Sequence, residues 1–342
     1  MRRPLFVLAV LAGLLLGSYA LWWWTTTRLA QGFSDWREQA TAAGWTVRSG
    51  SMQRTGWPAA AVLVISDLSL SGGLADIPGG ADWQGHRVEL RLSPFAPDSL
   101  EVRVGGEQAL RFGPSPRLRF GAERFIWRVP LGSPGPANLD AKNIRFGAPL
   151  AGMTVGLITG TFAAQPAARQ GEAALNVSLS AEAIALPPPP APRPALGDRI
   201  ASATLEGSID GPLPPGSDPA ARASAWRQGG GIVQVRHFAV GWGPLGLSGS
   251  ATIGLDAGLQ PEGTASVRAI GYDAALAALA DAGVMTHPAA QAVRALLGLL
   301  ARTPEGGGTP VVELPLALRE EVLSVGRIPV GKIPILVWPT TP

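Results

Sequence analysis

Along most of the chain, apolar and polar residues alternate with a period of two. Leu100, Val102 and Val104 alternate with Glu101 and Arg103; Phe125, Trp127 and Val129 alternate with Arg124 and Arg128. Leu175, Val177 and Leu179 are spaced by Asn176 and Ser178, and Ala201, Ala203, Leu205 and Ile209 by Ser202, Thr204, Glu206 and Ser208. Leu245, Leu247, Ala251, Ile253 and Leu255 alternate with Ser248, Ser250 and Thr252. This pattern predicts antiparallel strands with one apolar and one polar face. Gly-, Pro-, Asn- and Asp-rich turns separate them. Several segments exceed the usual strand of roughly 5 or 6 residues. The expected fold is therefore mainly β: a long, curved antiparallel sheet forming a groove or a flattened barrel. Between Ala60 and Leu70, Val62, Val64, Leu68 and Leu70 fall on one face by strict alternation, opposite Leu63, Ile65, Asp67 and Ser69.

Helical spacing occurs in three places. Leu29, Phe33, Trp36 and Ala40 form one stripe, stopped at Gly44, and predict an amphipathic neck helix over 25–43. Two further stripes, Ala275, Leu276, Leu279, Ala280 and Val293, Leu296, Leu297, Leu300, predict a helical pair near residues 272–302. Such a pair suffices to plug one end of a sheet but not to cover it.

The first residues carry a different signal. Arg2 and Arg3 precede an apolar run from Leu5 to Trp24. About 20 helical residues span roughly 30 Å, the thickness of a bilayer core. Trp22, Trp23 and Trp24 stand where an interfacial aromatic belt belongs, and the positive-inside rule leaves Arg2 and Arg3 in the cytoplasm. Residues 1–24 thus read as a cytoplasmic tip and transmembrane anchor, with residues 44–342 exported. The competing reading is a signal peptide cut after Ala20. Cleavage would leave Leu21-Trp22-Trp23-Trp24 at a soluble terminus. Both readings export the β domain. The expected location is the inner membrane, with one span and the bulk of the chain in the periplasm.

These elements together resemble a family of bacterial envelope proteins, domain-of-unknown-function family 2125. The resemblance rests on the apolar start, the helix, Gly44-Trp45, the Gly56-Trp57-Pro58 turn, the alternating strand from Ala60 to Leu70, and Trp83 ahead of Val88, Leu90 and Leu92. The last third is similar to the closing region of AsmA-like proteins, through Val233, Val235 and His237, the segment LGLSGSATIGLD, and the terminal LSVGRIPVGKIP. The AsmA-like resemblance implies an extended, membrane-anchored β structure involved in envelope lipid transport or outer-membrane assembly.

Composition narrows the chemistry. The chain has no cysteine, which excludes disulfides, thiolate metal sites and cysteine nucleophiles. Only 15% of residues are charged and the net charge is +3, with no basic patch interleaved with aromatics; nucleic acid is not an expected partner. Anionic lipid headgroups stay open as partners. His86, His237 and His287 are far apart and have no metal-ligand spacing. Gly241-Trp242-Gly243-Pro244-Leu245-Gly246 matches a dinucleotide-binding pattern by letter only, since no helix follows to receive a pyrophosphate. It reads as a hairpin turn. No catalytic residue, metal site or cofactor is expected. A proline-rich loop occupies 187–196.

Two functions fit. In the first, lipid or another amphiphile lies against the apolar sheet face, with Leu205, Ile209, Leu245, Leu247, Ala251 and Ile253 as lipid-facing residues. Small residues on that face, such as Ala201, Ala203, Gly207, Gly249 and Ala251, leave room for an acyl chain or for a packed helix. In the second, the protein is a structural or assembly factor acting through envelope proteins.

Overall fold

The computed structural model describes residues 2–338 except 73–79, 114, 133–134, 188–194, 215–217 and 303–308, and only the backbone of residues 2–5, 8 and 9. It opens with helix α1 (Arg2–Ala42). Then come β1 (Trp45–Arg48), β2 (Met52–Thr55), β3 (Ala61–Gly72), β4 (Ala81–Ser93), β5 (Ala96–Phe112), β6 (Leu118–Pro130), β7 (Ala137–Phe146), β8 (Thr154–Ala164), β9 (Ala173–Ala185) and β10 (Arg199–Asp210). Helix α2 (Pro219–Gln228) precedes β11 (Ile232–Trp242), β12 (Leu245–Leu255) and β13 (Pro261–Ile270). Helices α3 (Tyr272–Asp281) and α4 (His287–Leu300) are followed by β14 (Ala301–Arg302), β15 (Val311–Arg319), β16 (Val322–Val325) and β17 (Ile328–Lys332).

Among the described residues, all seventeen strands belong to one sheet. It is a meander of antiparallel neighbours. β1 and β2 share the outer edge of β3, and the ladder then runs strand by strand from β3 to β13, on to β15, β16 and β17. Among the described residues no pairing joins β17 to β1 or β2, so the sheet is open; the flattened-barrel alternative does not hold. The proline-rich loop expected at 187–196 falls mostly on residues 188–194, outside the described residues. The strands flanking it, β9 and β10, pair with each other.

A line of matched bulges, one unpaired residue on each of two facing strands with the register unchanged, crosses the first half of the sheet. Asp67 on β3 and His86 on β4 are skipped in the ladder between them. Asn143 and Gly156 are skipped between β7 and β8, and Gly156 and Ala183 between β8 and β9. Asp67, Asn143 and Ala183 have positive φ of 47°, 50° and 53°. Each unpaired residue interrupts the pleat and bends its strand without shifting the ladder's register, so a line of them curves the sheet. It also flips the side-chain parity, because a face is kept only while the period is two. Ile65 and Leu68, three residues apart, therefore share one core cluster, as do Ala141 and Ile144. Two expectations fail for this reason. Leu68 lies with Leu63 and Ile65, not with Val62 and Val64. Ile200, not Ala201, joins the apolar face: Ile200 pairs with Ile184 and Trp242, while Ala201 is skipped and exposed.

Helix α1 is one unbroken helix, so the expected anchor (1–24) and neck (25–43) are two parts of a single element. The three threonines do not break it, because each hydroxyl donates back into the helix: Thr25 to the Leu21 carbonyl at 2.8 Å, Thr26 to Trp22 at 2.9 Å, Thr27 to Trp23 at 2.8 Å. Gly44, at φ +88°, ends it. Its second half packs Phe33 against Leu63, Ile65 and Val88. Its leading turns expose Phe6, Leu14 and Leu16. Among the described residues, no helix is long and apolar enough to cross a membrane. The expected span also takes in Leu5 and residues 8 and 9, whose side chains lie outside the described residues.

The helical pair expected near 272–302 is present as α3 and α4. Following Ile270, it sits at the end of β12, β13 and β15 away from the Trp22–Trp24 segment. A second core cluster, around Ala141, Ile144, Val155 and Ile184, lies on the sheet itself.

Candidate functional site

Register fixes which side chains share a face, since directly opposed residues project to the same side. One row runs Leu63, Leu90, Val102, Trp127, Leu139 across β3 to β7. It continues through Gly160, Leu179, Leu205, Phe238, Gly249, Val267 and Leu314, from β8 to β15. Every member is apolar or glycine. At Gly249 the missing side chain is filled by a neighbour: a Cβ there would lie 2.9 Å from the Phe238 ring.

All six residues expected to face lipid lie on this same face. Leu205 is in the row just traced. Leu247 continues a parallel row through Val240 and Ala203. Ala251 aligns with Val235 and Gly207, Ile253 and Ile209 with Val233, and Leu245 with Trp242 and Ile200. None of the six is buried: Leu205 is 39% exposed and the others are half-buried. The fully buried apolar residues of the sheet form two clusters instead, one between α1 and β3–β5 and one on β7–β9.

The face is covered by α1 only over the first strands, and there incompletely. A cavity of about 620 Å³ lies between Leu29, Gly32 and Trp36 of α1 and Leu90, Leu100 and Val102 of the sheet. A second, of about 770 Å³, lies beside it among Leu21, Trp22, Trp24, Pro58, Leu92 and Pro97. Thr25, Arg28 and Leu92 line both, so the two adjoin.

Trp22 and Trp24 form a collar at this mouth, while Trp23, between them on the helix, lines neither cavity. Trp22 Nε1 donates to the Thr55 carbonyl at 3.1 Å, tying α1 to β2. The Arg28 guanidinium lies 5.3 Å from the Trp24 ring centre and that of Arg54 lies 4.9 Å from Trp23, distances suited to cation–π attraction. Tyr19 lies tilted against Trp22, stacks with Trp23 and meets Trp57 edge-on at 6.1 Å. The expectation of a belt on one helix missed Trp57, Arg28 and Arg54. The Gly56-Trp57-Pro58 turn was visible in the sequence, but not its return to the helix.

The opposite face is ionic. Arg111 pairs with Asp82, Arg124 with Asp140, and Arg87 with Glu89 at 2.7 Å. Hydrogen bonds from Arg124, opposed by desolvation and helped by the charges of Arg124, Lys142 and Arg128, hold the Asp140 carboxyl below its ordinary range. His86, His237 and His287 lie on β4, β11 and α4. His86 Nδ1 is 2.8 Å from Asp67. The Gly241–Gly246 segment is the hairpin turn between β11 and β12.

No curated protein and no solved structure matches the chain. The AsmA-like resemblance of the last third gains no support from these comparisons. The family described as "Uncharacterized protein conserved in bacteria (DUF2125)" matches residues 22–334, taking in the Trp collar, the groove under α1 and the whole sheet, and the chain belongs to that family.

Proposed function

We propose that this chain is a non-enzymatic, membrane-anchored envelope protein that holds lipid or another amphiphile against the apolar face of its sheet and guides it along that face. The observation that carries the reading is the apolar row from Leu63 to Leu314, which stays half-exposed over the later strands. Apolar surface left in water is costly, at roughly 25 cal/mol per Å², and a contiguous exposed patch marks a binding surface. Acyl chains would remove that cost without a specific catalytic group. The leading part of α1, with Phe6, Leu14 and Leu16 exposed around its circumference, serves as the inner-membrane anchor. Arg2 and Arg3 keep the N-terminus cytoplasmic and put the sheet in the periplasm.

The test is mass spectrometry of lipids extracted from the full chain purified in a mild detergent. About one phospholipid or more per chain supports the reading; a lipid-free, fully folded protein overturns it.

A second reading, an assembly factor acting through envelope proteins, draws on α4. That helix leaves Leu296, Leu299 and Leu300 exposed, Leu299 by 85%. A photo-crosslinker at Leu299 that captures one defined protein in cells favours it.

A further inference from the structure

The groove under α1 has more chemistry than an apolar lining. Its inner part, between Leu29, Gly32, Phe33 and the β4–β5 residues Leu90 and Val102, is almost wholly hydrocarbon, and at about 620 Å³ it lies within the roughly 300–1,000 Å³ of small-ligand sites. Gly32 leaves it open: a Cβ added there would meet nothing within 4 Å. The outer cavity, of about 770 Å³, opens among the tryptophans. Arg28 stands where the two adjoin. Among the described residues no carboxylate pairs with Arg28 or Arg54; on the polar face, by contrast, Glu101 takes both Arg103 at 2.5 Å and Arg128 at 3.4 Å. The Arg28 guanidinium, against the Trp24 ring, is thus an unneutralised cation at the junction of an apolar cavity and an open one; Arg54, against Trp23, lines neither.

We propose that this groove is a site for one anionic phospholipid drawn from the bilayer, its acyl chain under α1 beside Gly32 and its phosphate ester at Arg28. A guanidinium offers phosphate a planar, bidentate fork that an ammonium lacks. The net negative headgroup is favoured over a zwitterionic one because no acid shares Arg28. The inference rests on the amphiphile reading and locates where the ligand first binds.

The test uses the full chain in bilayer nanodiscs containing photoactivatable acyl-chain phosphatidylglycerol or phosphatidylcholine, with crosslinks mapped by peptide mass spectrometry. The expected result is labelling of α1 around Gly32 and of β4–β5, at least fivefold stronger with phosphatidylglycerol. Gly32→Trp fills the inner cavity and abolishes that labelling; thermal unfolding and circular dichroism check its fold, and Gly32→Leu, a better helix former than glycine, repeats the test with a smaller plug. Arg28→Gln keeps the labelling but equalises the two lipids. Equal labelling by both lipids in the unaltered chain overturns the headgroup assignment. Labelling confined to β10–β13 overturns the groove while leaving the amphiphile reading intact. No labelling anywhere overturns both.

Discussion

Leu63 on β3 and Leu314 on β15 are the two ends of one row of registered residues, and every residue between them is apolar or glycine. A continuous row matters because a ligand sliding along it meets no polar group that needs desolvation. A charge at its middle should therefore act on the ligand more than on the fold. Leu205 is 39% exposed, so Leu205→Glu gives up little core. Surface changes of this kind stay within about 0.5 kcal/mol. The expected outcome is a melting temperature close to that of the unaltered chain with severalfold less co-purified lipid, while Glu206→Ala, on the other face, changes neither. Equal lipid content in all three proteins would contradict the row's role.

Phe33 fastens α1 to the sheet. It is 6% exposed, clustered with Leu63, Ile65, Leu68, Val88 and Val104, and its ring lies 5.6 Å from that of Trp36. Truncating a buried aromatic costs about 3–5 kcal/mol through lost transfer energy and the cavity left behind. Phe33→Ala should lower the urea midpoint by a corresponding amount and raise proteolysis near Gly44, where the helix joins the sheet. A variant that loses stability without the added cleavage would place the damage in the sheet instead.

Asp67 and His86 meet at 2.8 Å across the bulge, with side chains 57% and 71% exposed. An exposed pair contributes about 0–1 kcal/mol, so His86→Ala should be nearly silent. The backbone is a separate matter. Asp67 sits at φ +47°, a region that Asp and Asn tolerate and a β-branched residue does not. Asp67→Val should cost about 1–2 kcal/mol and Asp67→Gly much less, as read by thermal unfolding. If His86→Ala proves the worse of the two, the ion pair and not the bulge sets the bend.

That bulge also marks what the sequence could express. Period-two alternation made the strands, their antiparallel order and the six residues of the later apolar face legible, because β10 from Ala203 to Ile209 and all of β12 contain no extra residue on their own strand. Helical spacing gave α3 and α4. Alternation carries no sign of a bulge, since one inserted residue looks like any other; hence the wrong partners for Leu68 and the wrong face for Ala201. Nor does it foresee Gln108, which is 1% exposed on the apolar side and accepts from Trp83 Nε1 at 3.3 Å. The groove was illegible for a different reason: Gly32 and Arg28 line one cavity only because α1 packs along β3, a contact between segments with no local pattern.

Acid should act on the polar face and leave the apolar one untouched. Arg124 Nε donates to Asp140 Oδ1 at 2.9 Å, and its Nη2 donates to the other oxygen. These bonds, ahead of the charges of Arg124, Lys142 and Arg128, lower the folded-state pKa of Asp140 despite its partial desolvation. A depressed pKa means that the carboxylate contributes to stability at pH values above that of an unfolded Asp, about 3.9, and that this contribution disappears as pH falls through the lower folded value. Urea midpoints of the unaltered chain should then decline more steeply below about pH 4 than those of Asp140→Asn, and the two curves should converge at the acid end. A gap between them that stays constant from pH 7 down to the acid limit would mean that Asp140 acts through packing, not charge. Acyl-chain labelling under α1 should be the same in both proteins at neutral pH, because Asp140 projects away from the row that Leu139 belongs to.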